Sequence, residues 1–586
     1  MRALLSGFAV WLLMGSQALH AQAISNSDLA NLIEDHWEIR LKRSPVLATS
    51  LGDRRYDDTL GSLSLSAMDK AKARYEDVLN GLKELDPSKL NGSDQLNYDL
   101  FEQELERDIA SLSQPQRSIL FNRFAGWHIS FANLVDRVPF FALADYESYI
   151  ARLNDFSRYN AEGIATTRWA IKNKYVQPCE AMQGYGRTIS AQITTQPEQS
   201  RFWEPFKTPL ASVDPQLWKG LKARARTASE DRVMPALQLW ADVFTREYMA
   251  ACAENVGADD LPGGDTYYAE RIKRYTTLDM LARQIHQTGL SEVSRIRREM
   301  RAVIDDARFN GSFQDFQAYL RTDPKFYAAT PEALLERVAY IAKQADGALP
   351  TLFGRLPRMP YTVKPIPDAI AEGNTTAYYE QPSGDGTRAG VYRVNLTALD
   401  QRPLYELEAL TLHEAVPGHH LQIALQQELK DLPNFRRFGG YTAFIEGWGL
   451  YAERLGLEMG FYKDPYSNFG RLSYEMWRAC RLVVDTGLHA LGWTRQQAID
   501  FMADNTALSA ANIEAEVDRY ITWPGQALAY KLGEIKIRDL RAFAEKTLGD
   551  AFDLRAFHDA LLAEGALPLT TLDKRMRGWV EAQTAP

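Results

Sequence analysis

Apolar residues recur every three or four positions along most of this chain, which is the spacing that places them on one face of an α-helix. The clearest segments are residues 67–85, 94–112, 278–304 and 330–347, where Glu, Lys, Arg, Ala and Gln fill the positions between. A chain of 586 residues, 45% of them hydrophobic and 24% charged, can bury a large core and has neither a disordered nor a collagen-like composition. We therefore predict a mainly α fold.

One region departs from the helical spacing. Residues 377–380, a Gly-containing turn at 382–386 and residues 390–396 are typical of strand, turn and strand. They predict a small β-sheet whose second segment aligns an extended substrate through backbone hydrogen bonds, with Tyr392 and Asn395 as substrate-binding residues. A surface hairpin that only covers helices fits the same residues.

The first 23 residues have the features of a cleavable signal peptide. Arg2 precedes an uncharged apolar run at residues 3–13, and Ala21-Gln22-Ala23 matches a cleavage site. We predict cleavage after Ala23 and a periplasmic or secreted protein, with a buried N-terminal helix as the alternative. No segment approaches about 18 uninterrupted apolar residues, so we expect no membrane span in the mature chain.

The remaining chain divides at a break containing Pro262-Gly263-Gly264. This break predicts an N-terminal helical region, residues 24–261, and a catalytic region, residues 262–586. The formal charge of −9 gives no reason to expect a nucleic acid partner.

The chain has three cysteines, at positions 179, 252 and 480. Cys179 and Cys252 could pair in an oxidising compartment, but their spacing in sequence does not decide whether they meet. Cys480 lies in an apolar-rich stretch and is expected to be buried. Because the chain has no C-x-x-C motif, a thiolate zinc site is not expected.

Histidines are concentrated in one short segment. The sequence HEAVPGHH occupies residues 413–420 and holds three of the eight histidines that remain after signal removal. Imidazoles with a carboxylate are the usual ligands of catalytic zinc, as in the helical H-E-x-x-H motif. Here the fourth position after His413 is Pro417, which cannot bind a metal, so the strict motif fails.

The second histidine ligand depends on the shape of this helix. On a regular helix His420 lies about 10 Å along the axis from His413, too far to share one ion. A bulge at Pro417-Gly418 would let His413 and His419 converge. We therefore favour His419, and the choice between His419 and His420 stays open.

A third ligand is expected on a neighbouring helix. Glu446 stands in an otherwise apolar and small-residue run, where a carboxylate is costly unless it is paired or bound to a metal. Glu453, seven residues later on the same face, is either a partner of a ligand or a solvated charge.

Four segments together resemble the bacterial proteins grouped as domain of unknown function 885. They are HEAVPGHH at 413–420, EGWGLYAE at 446–453, RLVVDTGLH at 481–489 and YITWPGQALAY at 520–530. That family is similar in pattern to the helical gluzincin peptidases, such as thimet oligopeptidases and thermostable carboxypeptidases. The resemblance implies a large helical peptidase-like fold that binds Zn²⁺ through His413, His419 and Glu446, with Glu414 as general base. It also implies that the N-terminal region walls a cleft for short peptides.

The later segments suggest further site residues. By the same resemblance, Tyr520 and Tyr530 stabilise the oxyanion, although either could be a core tyrosine. His489 follows Asp485 by four residues, so that this carboxylate could orient it for catalysis, and a structural role is the alternative. Arg481 is predicted to bind substrate through a carboxylate, or else to pair with an acid.

These residues lead to one prediction and two alternatives. The prediction is an exported zinc metallopeptidase-like hydrolase that cleaves peptide bonds with metal-activated water. The alternatives are a zinc amidase or esterase acting on a non-peptide metabolite, and a non-catalytic binding protein that retains the peptidase fold. Nucleophilic-serine, phosphate-loop and dinucleotide-binding motifs do not occur in the chain.

Overall fold

The computed structural model describes residues 23–367, 371 and 375–584, and helices make up 68% of it. The predicted signal peptide lies outside the described residues except for Ala23. The helices before the sheet are α1 Ser27–Arg43, α2 Pro45–Ser50, α3 Leu65–Lys83, α4 Gly92–Ser113, α5 Trp127–Ala132, α6 Leu134–Arg137, α7 Leu143–Lys172, α8 Tyr185–Ser190, α9 Pro215–Ala228, α10 Met234–Val243, α11 Gly264–Thr276, α12 Ala282–Asp306, α13 Phe313–Thr322 and α14 Pro331–Ala348.

In the part of the chain that the structure describes, a three-stranded sheet and ten further named helices follow. The elements are β1 Tyr361–Pro365, β2 Ala377–Glu380, β3 Gly390–Val394, α15 Leu407–Glu414, α16 His419–Glu428, α17 Asn434–Arg437, α18 Thr442–Leu455, α19 Pro465–Ala490, α20 Arg495–Asn505, α21 Ala510–Thr522, α22 Leu528–Leu548, α23 Leu554–Leu562 and α24 Leu569–Thr584. The prediction of a mainly α fold with a small sheet is confirmed.

The sheet has the order β1-β3-β2, with β1 parallel and β2 antiparallel to β3. The sequence predicted β2 and β3, but not β1, which lies in a Pro-rich break. Because β3 is the central strand, hydrogen-bonded on both sides, it cannot accept a substrate strand. The expectation that residues 390–396 align an extended substrate is therefore wrong. Of the two edge strands, β2 carries Tyr379, whose ring lies 6.4 Å from the His419 ring.

Three apolar clusters account for most of the core. The largest joins α1, α3 and α4 to α14, the sheet and most helices after it, while a second lies within residues 60–248. The third packs α12 and α13 against α19, α20 and α21. The largest cluster thus draws on both sides of the predicted boundary at residue 262, and the division into two regions stays a prediction.

Helices α18 and α22 cross at unusually close range. A Cβ atom on Gly447 would lie 2.5 Å from the backbone of Gly533, so the crossing requires glycine. This approach fixes the position of α18 and of the neighbouring Glu446.

Cys179 and Cys252 form a disulfide, which answers the question the sequence left open, and Cys480 is buried as expected. Burial raises the pKa of the Cys480 thiol. None of the described helices is long and apolar enough to cross a membrane.

Replacing Cys179 and Cys252 together by serine should lower the free energy of unfolding by about 2–4 kcal/mol, because the bond constrains the unfolded chain. Urea unfolding measures this change. Cys480→Ala is the control, since it leaves the bond in place. Equal stability of the double variant and the wild type would contradict the expectation.

Candidate metal centre

The HEAVPGHH segment interrupts a helix. Helix α15 ends at Glu414 and α16 begins at His419, so residues 415–418 form a bulge between them. The backbone N–H of His420 donates to the carbonyl of Ala415 at 3.0 Å, and the indole of Trp448 on α18 donates to the carbonyl of Pro417 at 2.8 Å. These bonds hold the bulge against α18 and bring the His413 and His419 rings to a centroid distance of 4.6 Å.

Three predicted ligands converge on one point. The Nε2 atoms of His413 and His419 lie 3.5 and 3.4 Å from the same Oε2 atom of Glu446. Two ligand atoms of a tetrahedral zinc ion with bonds of about 2.0–2.1 Å are themselves roughly 3.3 Å apart. The two separations from Glu446 and the chemistry of this donor set therefore fit a zinc ion, and all three ligand atoms lie within 4.8 Å of one another.

His420 points away from this point. Its Nδ1 lies 2.8 Å from the Tyr379 hydroxyl on β2, and its Nε2 lies 2.9 Å from the carbonyl oxygen of Met359. Burial lowers the pKa of His420 to about 4. With both ring nitrogens engaged, His420 links α16 to Tyr379 of the sheet. Of the two adjacent histidines, His419 is therefore the one that faces Glu446 as a candidate metal ligand.

Glu453 holds the other side of the His413 ring. Its Oε1 atom lies 2.8 Å from His413 Nδ1 and 3.2 Å from a guanidinium nitrogen of Arg478. Gly449, one turn earlier on α18, makes room for the ring, since a Cβ there would lie 2.7 Å from His413 Cε1. A carboxylate on the far nitrogen is the usual partner of a metal-binding histidine, because it orients the ring and increases its basicity.

The electrostatics of the cluster favour a cation. Burial alone would lower the pKa of His413, but Glu446 and Glu453 outweigh it and raise the pKa to about 10. Burial would raise the pKa of Glu446, yet His419 and His413 hold it well below its usual range. The paired carboxylates thus stabilise positive charge between the rings, whether a proton or a metal ion supplies it.

Glu414 is the last residue of α15 and is half-buried. It directly follows His413 in the chain, and its negative charge is one of the causes that raise the pKa of His413. Within the described part of the chain it has no hydrogen-bond or ion-pair partner.

Tyr530 is the predicted tyrosine that reaches the cluster. Its ring stacks on His413 at a centroid distance of 6.4 Å. Arg519, which the sequence analysis missed, donates to the Tyr530 hydroxyl at 3.3 Å and to Gln526 at 2.7 Å. Because the phenol oxygen accepts from a cation, its own hydrogen is available for another acceptor.

Tyr520 is fully buried, and its hydroxyl is engaged. The indole of Trp477 donates to it at 2.9 Å and Arg481 Nε at 3.0 Å. Arg481 also pairs with Glu516 at 2.9 Å, and its guanidinium lies 4.4 Å from the Tyr530 ring centroid. Arg481 is only 2% exposed, so we assign it to positioning the two tyrosines rather than to contact with substrate.

His489 is also structural. Its Nδ1 accepts from the backbone N–H of Ala258 at 3.0 Å, and its Nε2 donates to the carbonyl of Tyr520 at 2.9 Å. The predicted partner Asp485 instead accepts from Tyr268 and from the backbone of Gly525. Both ring nitrogens are thus occupied, which leaves none for a substrate.

Tyr392 and Asn395 do not face a cleft. Both are 0% exposed. The Tyr392 hydroxyl lies 3.5 Å from Thr411, and the Asn395 side chain donates to the carbonyl of Ala371 and accepts from Thr397. Their predicted role in substrate binding is replaced by a role in the core and in the turn after β3.

A second cluster of acids already holds a cation. Glu292, Glu475 and Glu534 surround the ammonium of Lys531 at 3.0, 2.8 and 2.8 Å, and Lys531 is fully buried. The ammonium occupies the position that a metal ion would take. Among the described residues, the His413 cluster is therefore the better candidate for a metal.

Comparison with known proteins shows what the whole chain is similar to. A family model described as "Bacterial protein of unknown function (DUF885)" matches residues 45–576. A candidate lipoprotein from Colwellia psychrerythraea has a similar structure, with a TM-score of 0.89 and 28% identity over 95% of this chain and 99% of its own. A candidate lipoprotein of unknown function from Shewanella oneidensis, 19% identical, shares the fold with a TM-score of 0.68 over 94% of this chain and 100% of its own. No curated protein matches the chain.

Proposed function

The chain belongs to the DUF885 family of bacterial proteins, and we propose that this member is a zinc-dependent hydrolase that cleaves the amide bonds of short peptides. One observation carries the proposal. Two imidazole nitrogens and one carboxylate oxygen meet at the spacing of zinc ligands, and Glu414, which has no ion-pair partner among the described residues, directly follows the first of these ligands in the chain. The similarity to gluzincin peptidases remains part of this proposal.

The residues divide the chemistry between them. His413, His419 and Glu446 would hold the ion, and Glu453 would fix the His413 ring. When bound, zinc supplies a Lewis acid and lowers the pKa of a bound water to about 7. Glu414 would take a proton from the attacking water and return it to the leaving amine.

Tyr530 would stabilise the negative charge that develops on the carbonyl oxygen. Its hydroxyl accepts from Arg519, which polarises the phenol and leaves its own hydrogen for the oxyanion. Its stacking on His413 keeps it beside the reacting bond. Arg481, which is itself hydrogen-bonded to Tyr520, would hold the Tyr530 ring in place.

A peptide is the substrate that the surroundings favour. The edge strand β2 carries Tyr379, whose hydroxyl contacts His420 and whose ring lies 6.4 Å from the His419 ring. An edge strand beside the reacting centre can bind an extended backbone. The substrate strand that the sequence analysis assigned to β3 would therefore lie along β2.

We further propose that the protein works outside the cytoplasm. The N-terminal residues have signal-peptide features, and both similar structures are described as candidate lipoproteins.

A substrate screen tests the proposed activity. Zinc-loaded protein is incubated with a library of short peptides, a panel of non-peptide amides and a panel of esters, and products are identified by mass spectrometry. We expect peptide cleavage that a chelator abolishes and zinc restores. Cleavage confined to the other panels would assign a non-peptide substrate, and no hydrolysis by the zinc-bound protein would favour a binding protein.

Glu453→Gln should weaken zinc binding by about 10–100-fold, because the neutral amide orients His413 without increasing its basicity. Competition with a fluorescent chelator measures the affinity. Glu458→Gln, an exposed position just beyond α18, is the control. Equal zinc affinity in both variants would contradict the role given to Glu453.

A further inference from the structure

Asp94, in the first turn of α4, is a buried carboxylate that binds the residues just before α1. Its side chain belongs to a residue that is only 1% exposed. The backbone N–H of Ser25 lies 3.1 Å from Oδ1 and 3.2 Å from Oδ2, and the Ser25 hydroxyl donates to Oδ2 at 2.6 Å. The backbone N–H of Asn26 also donates to Oδ2, at 2.9 Å. Residues 25 and 26 are therefore fixed on α4 before α1 begins.

No cation balances the charge of Asp94 within the described part of the chain. No Lys, Arg or His nitrogen there lies within 4 Å of it, and all its hydrogen bonds come from the neutral donors of Ser25 and Asn26. Oδ2 accepts from two groups of its own, whereas Oδ1 accepts only the bond that it shares with Oδ2, so Oδ1 has room for another donor. Because a buried carboxylate is costly unless it is paired, a cation at Oδ1 would stabilise it.

The predicted signal cleavage would create such a cation. Hydrolysis of the bond between Ala23 and Ile24 leaves a carboxylate on Ala23 and an amine on Ile24, and an α-amine is mostly protonated at pH 7. This amine is one residue from the Ser25 nitrogen, a span of at most about 3.6 Å. Among the described residues, the Ile24 N–H has no hydrogen-bond partner, and the Ile24 side chain packs against the largest apolar cluster. The new ammonium would thus be held within reach of Asp94.

We propose that Asp94 binds the α-ammonium of Ile24 in the mature chain, so that removal of the signal peptide completes the attachment of α1 to α4. The inference goes beyond the proposed activity and rests only on cleavage after Ala23. In the precursor the same nitrogen belongs to an uncharged amide, so Asp94 has only neutral donors. Processing would therefore add a charge-assisted hydrogen bond, which is stronger than a bond between neutral groups.

This attachment lies in the core that also surrounds the metal centre. Helices α1 and α4 contribute to the largest apolar cluster, which includes Leu412 and Leu421 next to the two histidine ligands. Asn97, one turn after Asp94 on α4, accepts from Arg436 on α17 at 2.7 Å. The mature N-terminus would thus stabilise α4 where it contacts the helix that follows α16.

Acylation of the α-amine tests this pairing, because an amine that is protonated and bound reacts slowly. Chains that begin at Ile24 or at Ala21 are released from a fusion by a protease that leaves no extra residue, and labelling at pH 7 is followed by mass spectrometry. Each rate is divided by that of a synthetic peptide with the same first residues. We expect the chain that begins at Ile24 to be labelled about ten-fold more slowly than the longer chain, and Asp94→Asn to remove this difference.

The comparison of the two chain lengths needs no substitution in the folded protein, since the longer chain only moves its ammonium about 10 Å away along the sequence. Asp99→Asn is the matched control, because it removes the same charge from an exposed position of α4, and it should retain the slow labelling of Ile24. Circular dichroism checks that each variant is folded.

Equal labelling of the two chain lengths, slow labelling of Ile24 that persists in Asp94→Asn, or fast labelling in Asp99→Asn would overturn the proposal. N-terminal sequencing of the exported protein completes the test. A first residue other than Ile24 would overturn the predicted cleavage and this site with it. None of these results depends on zinc or on hydrolysis, so a failure here is distinguishable from a failure of the proposed activity.

Discussion

Glu414→Gln is expected to lower the rate of peptide hydrolysis by roughly 10²–10⁴-fold, the usual contribution of a positioned general base. The half-buried side chain directly follows the ligand His413, and the glutamine amide keeps its size but cannot accept a proton. Zinc content should not change, because Glu414 is not among the three converging ligands. Initial rates and metal analysis on the same preparation measure both effects.

The control for this variant is Glu336→Gln, which removes the same charge from the exposed face of α14, a helix packed against α15. It should retain the wild-type rate. Retention of more than a tenth of the activity in Glu414→Gln would remove the general base from the account. Loss of zinc together with activity would instead make Glu414 part of metal binding.

Lys531→Met should lower the free energy of unfolding by about 3–5 kcal/mol, because it leaves three carboxylates facing one another without their central cation. Glu292 lies on α12, Glu475 on α19, and Glu534 on α22 beside Lys531, so the ammonium joins three helices. The repulsion is limited by the nearby guanidiniums of Arg295, Arg471 and Arg538. Urea unfolding followed by circular dichroism measures the loss.

Lys536→Met on the same helix is the matched control. Lys536 pairs with Asp573 at 2.9 Å, and its side chain is 27% exposed, so its loss should cost at most about 1 kcal/mol. Equal stability of the two variants would show that the buried network contributes no more than a surface pair. That result would contradict the assignment of Lys531 as the cation of this cluster.

The sequence predicted the class of fold because helical periodicity is a local property. It predicted β2 and β3 for the same reason, but β1 lies among Pro357, Pro360, Pro365 and Pro367, which together are typical of a break. Proline is tolerated there because β1 is an edge strand. The central position of β3 depends on β1, so its role could not be foreseen.

The convergence of His413, His419 and Glu446 could be anticipated because the spacing of the two histidines demanded a bulge. Residues farther along the chain were harder to place. His489 and Tyr520 are held by partners such as Ala258 and Trp477, which no local pattern relates to them. Arg519 did carry a signal, since it directly precedes the segment that resembles a known family. The network around Lys531 had none, because its charges are typical of solvated helix faces.

Zinc stoichiometry in two adjacent single variants tests the central claim most directly. After loading and exhaustive dialysis, metal analysis should find about one zinc ion per wild-type chain and per His420→Ala chain, and essentially none in His419→Ala. The reason is that His419 faces Glu446, whereas His420 binds Tyr379 and Met359. Zinc retained by His419→Ala and lost from His420→Ala, or absent from the wild type, would contradict the account.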